Sequence, residues 1–407
     1  MILKMAIRNI FRNKRRSLVA ALAISLGLTA LIFVDAFQEG MIVNMVKSGT
    51  STFMGEAQVH NSEFTNTMEV EKTINDPSKI MDELSKEELV SSLAPRIKTL
   101  GMITSAGNVQ SVLITGIDPQ KEKALSKMDE ALIEGEYISD SSEKGIMIGQ
   151  GLADILEVTV GDRLVITLAQ AHTGEMAQEM MRVKGIFKLG TREFDRSMAF
   201  IPIERARVML GLEGAMHEIA VNFKDHKKTW EKNLPIWTKY SNNGNKFENW
   251  MLLMPEMDAM LSMSAYSKYI VGFILFLLVA GVIINTLFMS IYERMFEFGV
   301  MRAIGAKPIY TGTLVVFESA VLAVVSTILG IISALLLNLI FSKVGIDYTG
   351  TEFMSVAMTE FVYPVMTVEQ YTSFPVSLII FTMIVSIYPA WYAAKIKPAV
   401  AMKKGTK

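Results

Sequence analysis

The chain has 407 residues, a formal net charge of −1 and no cysteine. The near-neutral charge gives no bulk attraction to nucleic acid, and the absence of cysteine excludes disulfides, thiolate metal sites and cysteine nucleophiles. Hydrophobic residues make up 51% of the chain, which is ordinary for a globular protein. They are concentrated towards the two ends, however, and this distribution predicts membrane spans that flank a soluble domain.

The first 17 residues predict a cytoplasmic amphipathic helix. Four basic residues recur at every fourth position and form one stripe, while apolar residues lie largely on another face. The stripe consists of Lys4, Arg8, Arg12 and Arg16. Such a helix suits the surface of an anionic inner leaflet.

Residues 18–39 form an apolar run of about the length that a bilayer needs, which predicts the first membrane span. A cleaved signal peptide is the alternative, but the run is long for one and no small-residue cleavage site follows closely. We therefore expect an uncleaved anchor. Asp35 falls at the outer end of this span, where we expect water to reach it.

Residues 40–265 contain many polar residues and show the alternation of apolar and polar residues that is typical of strands. This pattern predicts one soluble α+β domain. Residues 93–118 predict two strands joined at the turn sequence 106–108. Residues 227–240 predict a single helix. The segment 169–181 connects two further predicted strands.

Five methionines recur at every third position between residues 251 and 263. Because a helix turns every 3.6 residues, these side chains drift around the axis and do not form one stripe. Two interpretations are open. The methionines line the mouth of a cavity for acyl chains, or they pack a helical stalk that leads into the second span.

Residues 266–407 predict three more spans, at about 268–291, 312–341 and 374–394. Basic residues concentrate before the first span, between the second and third, and after the fourth. The positive-inside rule therefore places both termini in the cytoplasm and the large domain outside. Glu318 lies roughly one turn inside the third span, where an acid is costly unless it faces protein or water. We expect it to have a structural role, paired with a basic group near the loop that precedes this span.

That loop, residues 292–306, predicts a short charged helix that stops at Gly305 and Pro308. It is either a plain cytoplasmic turn or a docking element for a soluble partner. Glu293 and Glu297 lie one helical turn apart, where like charges repel mildly. We expect a basic groove on a partner to relieve that repulsion.

The sequence EFGVMRAIGA at residues 297–306, together with PAWYAAKIKPAVAMK at 389–403, resembles the FtsX/MacB-type permeases of ABC transporters. In that family the loop after the second span is the coupling helix, which fits a groove on a separate ATPase. The resemblance implies that five residues of this chain couple to the ATPase. They are Glu293, Glu297, Gly299, Arg302 and Gly305.

The phrases LAPRIKTLG, VLITGIDP and VKGIFKLGTREFD within residues 40–265 resemble the periplasmic domain of the lipoprotein-releasing permeases of the LolC/LolE type. The implied fold is a membrane protein with an α-helical four-span domain and a large inserted extracytoplasmic α+β domain, the MacB-like periplasmic core domain. In LolC-like members the loop that corresponds to 169–181 is a hook that catches a soluble carrier. This makes His172, Glu175 and Met176 candidate carrier-docking residues. A plain hairpin tip is the alternative, because the loop is short and lacks the hook's prolines.

The resemblance implies a multi-pass inner-membrane permease subunit of a mechanotransmission-type ABC transporter. Its implied partners are a separate cytoplasmic ATPase dimer, a second permease subunit, membrane lipid, a lipoprotein cargo and a periplasmic lipoprotein carrier. The chain lacks the phosphate-binding motif G-x-x-x-x-G-K-[ST], so we expect ATP to be bound by the partner and not by this chain. Its four histidines have no metal-like spacing, and no nucleophile motif occurs, so we expect no catalytic, cofactor or metal site.

Two other functions remain open. One is MacB-like export of peptides or small amphiphiles. The other is FtsX-like activation of a cell-wall hydrolase without transport.

Overall fold

A computed structural model describes residues 2–12, 14–140, 143–353, 356–358 and 360–397. The chain divides into two compact units. The membrane unit comprises Met1–Ile42, Ser262–Asp347 and Val362–Lys407, and the sheet unit comprises Val43–Leu261 and Tyr348–Phe361.

The helices, in chain order, are α1 (Ile2–Arg12), α2 (Lys14–Gly49), α3 (Phe64–Thr67), α4 (Pro77–Leu84), α5 (Pro119–Leu125), α6 (Gln150–Leu156), α7 (Arg192–Ser197), α8 (Ile203–Leu210), α9 (Pro235–Tyr240), α10 (Trp250–Leu253), α11 (Pro255–Glu293), α12 (Met295–Ala303), α13 (Pro308–Val344) and α14 (Val368–Ala394). A π-helix at Thr50–Met54 continues α2, and a 3-10 helix covers His226–Trp230. The strands are β1 (Ala57–Asn61), β2 (Val90–Thr104), β3 (Val109–Ile117), β4 (Leu132–Gly135), β5 (Gly145–Gly149), β6 (Arg163–Ala169), β7 (Met176–Phe187), β8 (Met198–Pro202), β9 (Glu218–Phe223), β10 (Asn245–Asn249), β11 (Glu352–Phe353) and β12 (Val356–Ala357).

Four helices of the described chain are long and apolar enough to cross a membrane: α2 with its π-helical extension, α11, α13 and α14. The four predicted spans fall within them. Their inward faces form one apolar core, to which Leu28 and Leu314 contribute, and Ala6 of α1 is buried in the same core. A Cβ atom on Gly330 would lie only 2.9 Å from the Leu28 side chain, so α2 and α13 approach closely through a small residue.

The sheet unit is built on a ten-stranded mixed sheet with the order β10-β1-β9-β2-β3-β8-β5-β7-β4, in which β6 pairs with β2 and β7. Most neighbours are antiparallel, but β3–β8 and β5–β7 are parallel. Separate apolar clusters fill the space between the sheet and its short helices. The predicted hairpin at 93–118 is confirmed as the β2–β3 pair, and the predicted fold class, four spans with a mixed α and β domain, is confirmed as well.

The prediction of one helix over residues 227–240 is wrong. The 3-10 helix ends at Trp230, and α9 begins only at Pro235. Leu234 is extended, with ψ of 136°, because the residue before a proline is driven away from the helical region. Proline then starts the new helix at its first position, where no N–H is needed.

The outer end of the first span also differs from expectation. Asp35 is only 6% exposed, and its carboxylate lies 2.6 Å from Nζ of Lys268 on α11. The prediction that water reaches it is therefore wrong, since a buried carboxylate needs a partner and this one has a cation.

The boundaries of the sheet unit do not follow the sequence order alone. Tyr348–Phe361, between the third and fourth spans, belongs to it. In this segment Glu360 forms ion pairs with Lys47 and Lys127.

Of the regularly spaced methionines, Met251 and Met257 are buried in a cluster with Trp250, so these two pack inside the sheet unit.

Candidate functional site

The loop between the second and third spans folds into a short helix of its own. α11 ends at Glu293, Arg294 departs from helical geometry (φ −105°, ψ 15°), and α12 follows. Gly305 adopts φ of +100°, a conformation that only glycine takes up readily, and Pro308 starts α13. The stretch 292–306 therefore consists of the end of α11, the helix α12 and a tight glycine turn.

A buried ion pair ties this stretch to the third span. Arg294 is only 5% exposed, and its guanidinium contacts the carboxylate of Glu318. Asn9 Nδ2 donates to Glu318 Oε1 at 2.6 Å, and Arg294 Nε lies 3.1 Å from Glu297 Oε2. Arg294 is thus the basic group beside Glu318. The sequence carried a signal for it, because an acid inside a span needs a nearby cation and Arg294 immediately follows the preceding span.

The two acidic residues of the stretch are neutralised by the amino-terminal part of the same chain. Arg12 Nη1 lies 2.8 Å from Glu297 Oε1, and Arg16 Nη1 lies 2.7 Å from Glu293 Oε2. Partial burial raises the pKa of Glu297, but its bonds to Arg12 and Arg294 outweigh this and hold the pKa below its ordinary value. The expectation that a partner's basic groove relieves their repulsion is therefore corrected: this chain supplies the arginines itself.

With its carboxylates engaged, the stretch offers an apolar surface. Four apolar or aromatic side chains recur at every fourth position and are exposed. These four residues, the apolar ridge, are Tyr292, Phe296, Val300 and Ile304. Gly299 is buried, and Arg302 Nη1 donates to the Ala306 carbonyl oxygen at 3.0 Å. Exposed apolar patches of this kind mark contacts with other proteins or with a membrane.

The candidate carrier-docking residues lie on the β6–β7 hairpin, in which Ala169 pairs with Met176. Its tip is short and tied down by Gln170 N–H to Glu175 O at 2.8 Å and Ala171 N–H to Leu210 O at 2.9 Å. His172 has φ of +67° and is exposed with Glu175, while Met176 is 70% exposed. This is the geometry of a compact hairpin tip, and docking of a carrier there stays a prediction.

Sequence reasoning missed a charged cluster that anchors the end of α2 to the sheet. Arg96 on β2 is fully buried and donates to both oxygens of Glu122, at 2.9 and 2.7 Å, and to Glu218 at 2.6 Å. Its Nη2 also donates to the Phe53 carbonyl oxygen at 2.5 Å, and its Cζ lies 3.9 Å from the centre of the Phe53 ring. Phe53 belongs to the π-helix that continues α2, so this cluster fixes that helix end to the sheet.

Comparison with known proteins matches the chain to two families, the MacB-like periplasmic core domain over residues 17–231 and the FtsX-like permease C-terminal domain over residues 269–398. The chain is 24% identical over 420 residues to the lipoprotein-releasing system transmembrane protein LolC of Xylella fastidiosa, with 96% of each chain covered. It is 22% identical over 343 residues to the LolE protein of Haemophilus influenzae, with 81% of each covered. Among solved structures, the extracellular domain of the transporter YknZ matches with a TM-score of 0.34 and 11% identity, covering 47% of this chain and 98% of that one.

Proposed function

Since the chain belongs to the FtsX-like ABC transporter permeases that carry a MacB-like periplasmic core domain, we propose that it extracts lipoproteins from the inner membrane for transfer to a periplasmic carrier. The relatives named for lipoprotein release, LolC and LolE, support this cargo. In this proposal the chain is the permease subunit of a mechanotransmission-type transporter and does not hydrolyse ATP.

The proposal requires two partners. A separate cytoplasmic ATPase dimer binds the ATP, because the sequence contains no phosphate-binding loop motif. A second permease subunit, either a copy of this chain or a related one, completes the transporter. The distribution of Lys and Arg supports an orientation with both termini and residues 292–306 in the cytoplasm and the sheet unit in the periplasm.

The observation that carries the transporter part of the proposal is the set of contacts made by residues 292–306. Glu293 and Glu297 are paired with Arg12, Arg16 and Arg294, and the apolar ridge is exposed beside them, so in this proposal the ridge is the contact with the ATPase. A partner that moves α12 also pulls on α13 through the Arg294–Glu318 pair and on α1 through the Arg12–Glu297 pair. The charges therefore hold the helices together, and the ridge contacts the ATPase.

Two long helices provide the outward route for such a motion. α2 has 36 residues and α11 has 39, which correspond to about 54 and 58 Å of helix. Both are longer than the ~30 Å hydrocarbon core of a bilayer. In this proposal each helix continues from the cytoplasmic end of its span into the segment Val43–Leu261 of the sheet unit. Arg96 holds the π-helical extension of α2 through its bond to the Phe53 carbonyl oxygen.

The contact with the ATPase is tested by placing a charge on the apolar ridge. Phe296→Asp should weaken binding of the purified ATPase to the permease in nanodiscs by ~30-fold, the effect of losing an interface residue worth about 2 kcal/mol. Val208→Asp is the matched control, because Val208 is also apolar and exposed but lies on α8 of the sheet unit. Unchanged ATPase binding by Phe296→Asp would remove α12 as the docking element.

The cargo is tested separately in cells. Depletion of the protein, followed by separation of the inner and outer membranes, should leave lipoproteins stranded in the inner membrane. Re-expression of the wild-type chain should restore their sorting, and the Phe296→Asp variant should not. Normal sorting after depletion would reject lipoprotein release while leaving the permease architecture intact.

The compact tip of the β6–β7 hairpin favours a second candidate function, MacB-like export of a peptide or small amphiphile. A tip of residues 170–175 held by its own backbone bonds offers little chain with which to grip a carrier. If Gly-Ser replacement of residues 171–174 leaves lipoprotein release intact, the tip is not required for transfer. Loss of release in that variant would assign the tip to the carrier.

A further inference from the structure

One face of α2 is apolar and exposed along the first half of the helix. Leu18, Leu22 and Leu26 follow each other at every fourth position and are 55%, 46% and 65% exposed. Ala20 and Ile24, on the opposite side of the helix, are buried in the core of the membrane unit. Because α2 is long and apolar enough to cross a membrane, the face of the three leucines is the one that meets lipid.

Two cations stand at the amino-terminal end of this leucine face. Lys14 and Arg15 lie one turn before Leu18 on the same side of α2, about 6 Å away along the helix axis. Both are exposed, and neither forms an ion pair with another described residue. A cation this close to lipid-facing side chains lies at the level of the lipid headgroups.

The arginines on either side of these two cations are used inside the protein. Arg12 binds Glu297 and Arg16 binds Glu293, at 2.8 and 2.7 Å. Glu318, the acid inside the third span, is paired as well. The carboxylates at this end of the described membrane unit are thus engaged by other arginines, and the two cations keep a positive charge that an anion from outside the chain can balance.

We propose that this face of α2 binds an anionic phospholipid. The headgroup phosphate binds Lys14 and Arg15, and an acyl chain lies along the three leucines. Lysine contributes a point charge, and the arginine fork donates to two phosphate oxygens at once. A zwitterionic lipid binds less tightly, because the cation of its headgroup meets the same two positive side chains.

The leucine face favours a lipid over a soluble partner. A soluble protein can reach Lys14 and Arg15, but it cannot cover Leu22 and Leu26, which lie within the apolar span. The inference uses the proposed orientation only to name the leaflet, since the cytoplasmic leaflet is the anionic one. It depends neither on the cargo nor on the contact between the apolar ridge and the ATPase.

The experiment uses the full chain in nanodiscs that contain equal amounts of phosphatidylglycerol and phosphatidylcholine. A trace of either lipid carries the same photoreactive diazirine on its acyl chain, and mass spectrometry measures the label on residues 18–26. Labelled phosphatidylglycerol should modify them about 25-fold more than labelled phosphatidylcholine, since each cation near a membrane surface contributes about fivefold. Residues 328–340 of α13, which are exposed in part and contain no basic residue, are the internal reference and should show no preference.

Substitutions of the two cations test their role directly. Lys14→Gln combined with Arg15→Gln should abolish the preference for phosphatidylglycerol, and either change alone should reduce it about fivefold. Arg15→Lys keeps the charge and should retain most of the preference. Lys307→Gln is the matched control, because Lys307 is also an exposed cation but precedes α13, and it should leave the labelling of residues 18–26 unchanged.

Three results would overturn the proposal. Equal labelling by the two lipids would show that α2 meets only ordinary surrounding lipid. A preference that survives the double substitution would mean that Lys14 and Arg15 do not bind the headgroup. If the double variant keeps the preference but weakens binding of the ATPase, the two cations belong to the interface with the ATPase.

Discussion

The buried Arg294–Glu318 pair gives the sharpest test of how the short helix α12 is held to the third span. Arg294→Leu removes the cation and leaves a buried carboxylate to which, among the described residues, only Asn9 donates. Removing one partner of a buried pair costs about 3–5 kcal/mol, because the other charge is left uncompensated. For a unit of this size the loss corresponds to a fall in melting temperature on the order of 10 °C.

A second substitution separates stability from signal transmission. Replacing both members with Leu removes the uncompensated charge, and buried ion pairs are often replaced by apolar residues at little cost. We therefore expect Arg294→Leu combined with Glu318→Leu to recover most of the lost melting temperature. If the pair also transmits motion, stimulation of the ATPase by the reconstituted permease should stay low in the double variant.

The assay is thermal unfolding in nanodiscs, followed by tryptophan fluorescence, together with ATPase activity of the reconstituted complex. Arg302→Leu is a suitable control for the melting temperature, since Arg302 belongs to the same helix but donates only to the Ala306 carbonyl oxygen among its described hydrogen bonds. The reasoning is refuted if Arg294→Leu unfolds at the wild-type temperature. It is also refuted if the double variant is less stable than either single variant.

Three further predictions address other parts of the molecule. Arg12→Glu should lower stimulation of the ATPase, because it places two like charges together. Combining Arg12→Glu with Glu297→Arg should restore the stimulation. Arg8→Glu, on the same helix, should have little effect. Arg96→Met should lower the free energy of unfolding of the sheet unit by about 3–5 kcal/mol, measured by denaturant titration, because two buried carboxylates lose their partner. Burial holds the pKa of His217 in the folded chain below its ordinary value of 6.5. Below pH 6.5 the unfolded chain therefore binds more protons than the folded chain, and the free energy of unfolding should fall by up to about 1.4 kcal/mol for each pH unit. His217→Phe should remove that slope in the same titration.

The elements that depend on local sequence could be predicted. Each span is a long apolar run, and length and composition alone identify it. The β2–β3 hairpin follows from strand alternation on both sides of a turn sequence. The end of α12 follows from Gly305 and Pro308, whose backbone preferences act at their own positions.

The pairings between distant residues could not be predicted in the same way. Periodicity shows that the basic residues near the amino terminus form a stripe, but not that Arg12 of this stripe pairs with Glu297. Asp35 and Lys268 lie on different spans, and only the packing of α2 against α11 brings them together. The inclusion of residues 348–361 in the sheet unit likewise depends on contacts made by Glu360 with residues more than 200 positions away.

The pairing of Glu293 and Glu297 with arginines of the same chain changes how residues 292–306 should be understood. If Glu293 and Glu297 were free, an ATPase groove would have to supply cations, and salt would weaken its binding strongly. Arg12 and Arg16 already bind these carboxylates, and the unpaired side chains exposed beside them are those of the apolar ridge. Binding of the ATPase should therefore depend little on ionic strength, while α1 and α12 should separate at high salt. An amphipathic helix that looks suited only to a lipid surface is thus bound to α12 through the Arg12–Glu297 pair.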